Sequence, residues 1–293
     1  MREFHLNDVT YRLLRKCDFS FLARLGRAFC VFDENDSGNI SFGLENEQGE
    51  RFFVKIAGAL TANGIITPAH AADNLRKALP LYEAMRHPRL IELLEHFSHK
   101  KLEVAVFRWA EGECLFDHWN FDRYQQTGEP RPYERFRALP LPERLRAFEA
   151  VLSFFEAVEA ASYVAIDFYA GSILYDFSGK ETMVCDIDLF YQQPCRNDMG
   201  RMWGQRWFMS LEEWQAGAVL DDRTNVYRLG AAAWMFFGAG YPNHPVDRGA
   251  AKWDAEEALW RVAVRATEPK PAARYTSVSE FSAAWSAATN QKK

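Results

Sequence analysis

The stretch "VAIDFYAGSILYDF", Val164 to Phe177, decides how this chain is read. Asp167 stands between two apolar runs, and Gly171 and Ser172 follow it four and five residues later. A carboxylate inside an apolar run is costly unless it is paired or has chemical work to do. A second aspartate, Asp186 in "VCDID", comes nineteen residues after the first (186 minus 167) and also follows an apolar run, "TMVC". The run at Asp167 reads either as an ordinary buried strand with a stray charge or as a catalytic loop.

Bulk properties narrow the function classes. The 293 residues are 48% apolar, which is globular and long enough for one large core or two modest ones. A formal charge of -5 supplies no basic field, so neither nucleic acid nor a membrane surface is an expected partner. No apolar run reaches the ~18 residues of a bilayer helix, and "MREFHLNDVTYRLL" lacks the apolar core of a signal peptide. The expected location is cytoplasmic. Cys17, Cys30, Cys114, Cys185 and Cys195 are scattered without a CxxC pair, against both a disulfide framework and a thiolate zinc site. The one close histidine pair, His96 and His99, reads as solvated surface.

Working outward, residues 27–56 alternate β-rich runs with turn signals: "RAFCVF", "DENDSGN", "ISFGLE", "NEQGE", "RFFVKI". That pattern predicts three antiparallel strands. "AHAADNLRKALPLYEAMRH" predicts a helix broken or kinked at Pro80, and "RLIELLEHF" and "LEVAVFRW" predict two more strands. After about residue 110 helical periodicity takes over. Leu141, Leu145, Phe148, Val151, Leu152, Phe155 and Val158 recur at three- and four-residue steps on one helix face. The proline-bearing stretch 131–140 predicts a loop, "NVYRLGAAAWMFFGAG" a buried helix, and "SVSEFSAAWSAA" a closing helix capped by Ser277.

Strands with one helix, then a mainly helical half, and the spacings within them, resemble the protein kinase superfamily, in particular its bacterial serine/threonine kinases, over roughly residues 25 to 285. The resemblance implies an α+β, bilobal fold: a nucleotide-binding N-lobe at 1–109, with a five-stranded sheet and one helix, and a mainly helical C-lobe at 110–293. It implies ATP and Mg2+ as cofactors and a protein or small-molecule hydroxyl as acceptor. Lys55 in "FFVKI" matches the lysine that neutralises the ATP phosphates, and Ile40, fifteen residues earlier, matches the residue roofing the adenine. Gly38 falls on the last glycine of the phosphate loop, with Ser37 and Asn39 as further amide donors. That loop keeps one glycine where three are usual and carries Asp33, Glu34 and Asp36, which must point away or meet a cation. "RWAEGE" matches the hinge, where backbone groups of Arg108 to Glu111, Trp109 and Glu111 among them, would pair with the adenine edge.

Asp167 matches the catalytic aspartate and Asp186 the magnesium-binding one. Ser172 replaces the metal-binding asparagine, and Asp188 offers a compensating oxygen ligand. The histidine and arginine before the catalytic aspartate are Ala165 and Ile166, so control by activation-loop phosphorylation is not expected. The glutamate that pairs with the strand lysine falls on Ala78, which leaves Asp73 and Glu83 on that helix. "FMSLEEWQAGAVLDDRTNVYRLGAAAW" carries the most specific match. Glu212 stands for the glutamate of APE, Arg274 for its buried ion-pair partner, and Asn225 for the aspartate of the central helix. Two alternatives stand beside a protein kinase. The same fold can serve a small acceptor, as in aminoglycoside and choline kinases, and Tyr169 and Gln205 replace the residues typical of serine/threonine specificity. A pseudokinase would bind nucleotide or a partner without turnover.

Overall fold

The computed structural model describes residues 1–116, 121–238 and 249–290. It is a mixed α+β chain with small antiparallel sheets and, among the described residues, seven α-helices. Two compact units emerge, one built on Met1–Glu111 and the other on the chain from Gly112 onward.

The first unit opens with a hairpin, β1 (Arg2–Leu6) and β2 (Val9–Leu13), turned by Asn7 at φ 52°. Five strands follow: β3 (Arg27–Phe32), β4 (Asn39–Glu45), β5 (Arg51–Ala57), β6 (Leu93–His99) and β7 (Leu102–Arg108). They form one antiparallel sheet in the order β3-β4-β5-β7-β6. Side chains alternate across a sheet, so directly opposed residues share a face. One face carries Ile40, Phe42, Leu44, Val54, Ile56, Val104 and Val106, packed with Val9, Tyr11, Leu13, Phe19 and Leu22 of the amino-terminal segment. The other carries Ser41 opposite Lys55 and Lys55 opposite Ala105.

Helix α1 (Pro68–Ala84) lies between β5 and β6 in sequence and packs on strands β5, β6 and β7. Thr67 caps it, accepting from the His70 amide at 3.3 Å, and Pro68 suits its first turn. Of the break or kink expected at Pro80, the break does not occur, and the helix runs on to Ala84. Pro80 lies in the last turns, where only the bond to the Arg76 carbonyl is forfeited, and Leu75, Ala78, Leu79, Leu81 and Tyr82 stay buried on both sides of it.

In the second unit come β8 (Glu113–Cys114), α2 (Phe121–Thr127), α3 (Pro132–Arg137), α4 (Leu141–Ala160), β9 (Tyr163–Val164), β10 (Ile173–Asp176), β11 (Glu181–Val184), β12 (Tyr191–Gln192), β13 (Cys195–Arg196), β14 (Val219–Leu220), α5 (Asp222–Phe237), α6 (Glu257–Ala266) and α7 (Val278–Asn290). Helix α3 corrects the expected loop at 131–140: Pro132 opens it as a helix-compatible first residue, and Phe136 buries its face. The long helix and the buried one appear as α4 and α5, and α5 is buried from Thr224 to Phe237. Phe148 of α4 meets Phe236, Phe237 and Trp285, the last at 4.4 Å between ring centroids. Ser277 caps α7 as expected, its hydroxyl accepting from the Glu280 amide at 3.0 Å.

Candidate functional site

The second unit brings its candidate residues together. Pairing of β10 with β11, Ile173 against Val184, sets the loops that precede and follow these strands side by side. The Cys185 amide donates to the Ser172 carbonyl at 2.9 Å, joining the segment that carries Asp167 to the one that carries Asp186. Both aspartates adopt left-handed backbone, at φ 62° and φ 57°. Aspartate tolerates this conformation better than most residues, and such conformations concentrate at functional sites. Between them lies Tyr169, whose ring covers Gly171 so closely that a Cβ there would fall 2.7 Å from its hydroxyl. Burial pushes the Tyr169 phenol well above its ordinary value, and the carboxylates of Asp167 and Asp186 push it further. One neutral hydroxyl therefore feels both carboxylates.

What holds Asp167 in place is legible atom by atom. Asn225 on α5 accepts from the Ala165 amide at 2.8 Å and donates to the Tyr163 carbonyl at 2.8 Å. An aspartate at this position accepts but cannot donate, so the carboxamide closes both ends of the approach to Asp167. Arg228, one turn along α5, donates to the Phe168 carbonyl at 2.8 Å and pairs with Glu213, both side chains fully buried. Glu213 also accepts from the amide and hydroxyl of Ser210 at 2.8 and 2.9 Å. Burial pushes the Glu213 carboxyl up, against Arg228 and Ser210. Sequence reading passed over this pair, although an arginine inside the apolar "NVYRLGAAAW" signals a buried partner.

Glu212 and Arg274, 62 residues apart, meet in a bidentate ion pair at 2.6 and 3.0 Å, as the resemblance implies. Burial acts to raise the Glu212 carboxyl, and the hydrogen bonds and charge of Arg274 outweigh it, leaving it below its ordinary value.

Asp186, exposed, and Asp188, half-buried, are the oxygen ligands that suit a hard cation. Ser172 is buried, its hydroxyl accepting from the Tyr169 amide at 3.4 Å and donating to the Asp167 carbonyl at 3.5 Å, both long bonds. No group of three or more His, Cys, Asp or Glu side chains poised for a metal is found among the described residues. Mg2+ needs none, because one or two carboxylates and the substrate phosphates complete its shell.

In the first unit Lys55 is 9% exposed on the central strand β5, on the same face as Asn39. Ile40 is opposed to Ile56 and lies on the other face, wholly buried in the core under the amino-terminal hairpin. It is a core residue, and the expectation that it roofs a base beside Lys55 is corrected by the register. The acidic loop meets a cation, one of the two outcomes its sequence allows. Arg12 on β2 binds Asp33 through its backbone amide (2.7 Å), Nε (3.0 Å) and Nη2 (3.0 Å), and reaches Glu34 at 2.5 Å. The alternation of Val9, Tyr11 and Leu13 after "ND" was the available signal for this hairpin.

Ser37 is exposed, Asn39 is buried, and Gly38, at φ 77°, packs on Ala71 and Ile66, where a Cβ would lie 3.1 Å from the alanine. At the hinge stretch the Trp109 amide donates to the Arg51 carbonyl at 3.0 Å, and Glu111 lies 3.4 Å from the Arg51 guanidinium. Ala78 has no carboxylate to offer. Asp73 pairs with Lys77 at 2.7 Å and Glu83 with His96 at 3.1 Å.

No protein-family model matches the chain, and no curated protein matches it. No helix among the described residues is long and apolar enough to cross a membrane.

Proposed function

We propose that the chain is an ATP- and Mg2+-dependent phosphotransferase of the protein kinase type that moves a γ-phosphoryl group to a hydroxyl acceptor. The observation that carries the reading is the hydrogen-bonded pair of loops in which Asp167 and Asp186 share left-handed backbone and one neighbouring hydroxyl. Further support comes from Lys55 in a five-stranded sheet with one helix and from the Glu212–Arg274 pair. In this reading Asp167 orients the acceptor hydroxyl and takes its proton. The Lys55 ammonium engages the nucleotide's phosphates, and Asp186, with Asp188 or Ser172, supplies oxygen ligands. Mg2+ bound there would neutralise charge on the transferring group.

A second reading, nucleotide binding without turnover, is favoured by Arg12 pinning the acidic loop and by the engagement of both α1 carboxylates elsewhere. A small-molecule acceptor is favoured by Tyr169 standing where protein kinases carry lysine. The deciding experiment incubates γ-labelled ATP and Mg2+ with the protein, alone and with cell extract, beside Asp167→Ala and Asp186→Ala. Label on protein, lost in both variants, is the expected result. Label on a small metabolite selects the small-acceptor enzyme, and thermal stabilisation by ATP with no transfer selects the binding module.

A further inference from the structure

The Lys55 face of the sheet carries an aromatic surface to which the phosphotransfer reading assigns no role. Pairing of β3 with β4 shifts between Ala28 and Cys30, so Phe29 is an extra residue in the ladder. Such bulges re-aim side chains and are frequent beside functional sites. Phe29 turns its ring over Gly43: a Cβ at Gly43 would fall 2.7 Å from that ring and 2.5 Å from the Cys30 sulfur, so the arrangement requires glycine. Phe29 stays 41% exposed. Trp109 meets it edge-on at 5.0 Å, the Arg51 guanidinium stands 5.4 Å from its centroid, and Phe53 lies directly opposite Gly43.

Lys55 is one strand across and two residues along from Gly43 on the same face, which standard sheet spacings put at about 8 Å between Cα atoms. That matches the ribose-length step from a nucleobase to its first phosphates. Two of the hinge amides are already engaged by backbone carbonyls: those of Arg108 and Trp109 donate to the carbonyls of Glu92 (2.9 Å) and Arg51 (3.0 Å).

We propose that Phe29, with Phe53 and Trp109, is a stacking platform for the base of a nucleoside triphosphate, and that it does not distinguish adenine from guanine. This deepens the phosphotransfer reading and rests on it for the phosphate end of the ligand. Stacking is tolerant of base identity because every base presents a π-face.

Calorimetric titration of the full chain with ATP, GTP and tripolyphosphate, each with Mg2+, tests it on wild type, Phe29→Ala and Phe29→Tyr. ATP and GTP should bind wild type within about threefold of one another, a factor too small for a base-edge hydrogen bond. Phe29→Ala should weaken both by about tenfold, the low end of stacking effects, and leave tripolyphosphate unchanged. Phe29→Tyr should restore both. Unchanged nucleotide affinity in Phe29→Ala, or ATP preferred over GTP by more than about tenfold, overturns the platform and leaves the phosphotransfer reading standing. No binding of any of the three ligands to wild type overturns both.

Discussion

Replacing Arg274 by methionine gives the sharpest stability prediction. Its side chain is fully buried and donates to Glu212 (2.6 and 3.0 Å), to the Glu268 carbonyl (2.7 Å), and to the Arg223 and Pro269 carbonyls (3.0 Å each). Its guanidinium also stands 4.8 Å from the Tyr227 ring centroid. Methionine keeps much of the stem but strands a buried carboxylate and three carbonyls. Loss of one partner from a buried pair costs about 3–5 kcal/mol. The second unit holds roughly 180 residues, and an unfolding entropy of about 2.1 cal/mol/K per residue converts that loss to a fall in Tm of about 8–13 °C. Differential scanning calorimetry of wild type, Arg274→Met, Glu212→Gln and the double variant measures it. The double variant should lose clearly less than the sum of the singles, because the stranded charge is gone. A fall of under about 2 °C in Arg274→Met, or strict additivity, refutes the reasoning.

Three further outcomes are expected. Ile40→Ala should destabilise the chain by about 2–5 kcal/mol in denaturant melts while ATP affinity is unchanged; weaker ATP binding without stability loss would put Ile40 beside the nucleotide after all. Arg12→Met should cost about 1–2 kcal/mol, discounted for its partial exposure, and amides 33–38 should exchange hydrogen faster while those of β5 do not; unaltered exchange there would show that the hairpin does not hold the loop. Because Arg274 keeps the Glu212 carboxyl below its ordinary 4.5 in the folded chain, the pair stabilises fully above that pH, and the contribution is lost as pH falls through the depressed folded value. Wild-type Tm should therefore drop more steeply below about pH 4.5 than that of Glu212→Gln, and parallel curves would count against the pair.

The second unit's site was largely legible because its signals are local or carried by chemistry. Asp167 and Asp186 each follow a short apolar run, and the hairpin of β10 and β11 needs only a tight turn to bring them together. Glu212 and Arg274 were matched through the resemblance, and they meet in a buried ion pair. The first unit was read less well because strand faces depend on register. The turn at residues 46–50 opposes Ser41 to Lys55, and one residue of slip would have put Ile40 there instead. Fifteen residues of separation cannot tell these apart. Phe29 was hidden for the same reason, since a bulge leaves no mark in the pattern. Pro80 does not end its helix, because packing on both sides of it outweighs one missing bond.

The proposed function makes Lys55 and Asp186 each necessary for ATP binding. Equilibrium binding of ATP at fixed Mg2+ to wild type, Lys55→Met and Asp186→Asn, each verified as folded by its melting curve, tests it most directly. The account predicts that each substitution weakens binding by at least about tenfold, or 1.4 kcal/mol. Equal affinity in all three proteins would contradict it.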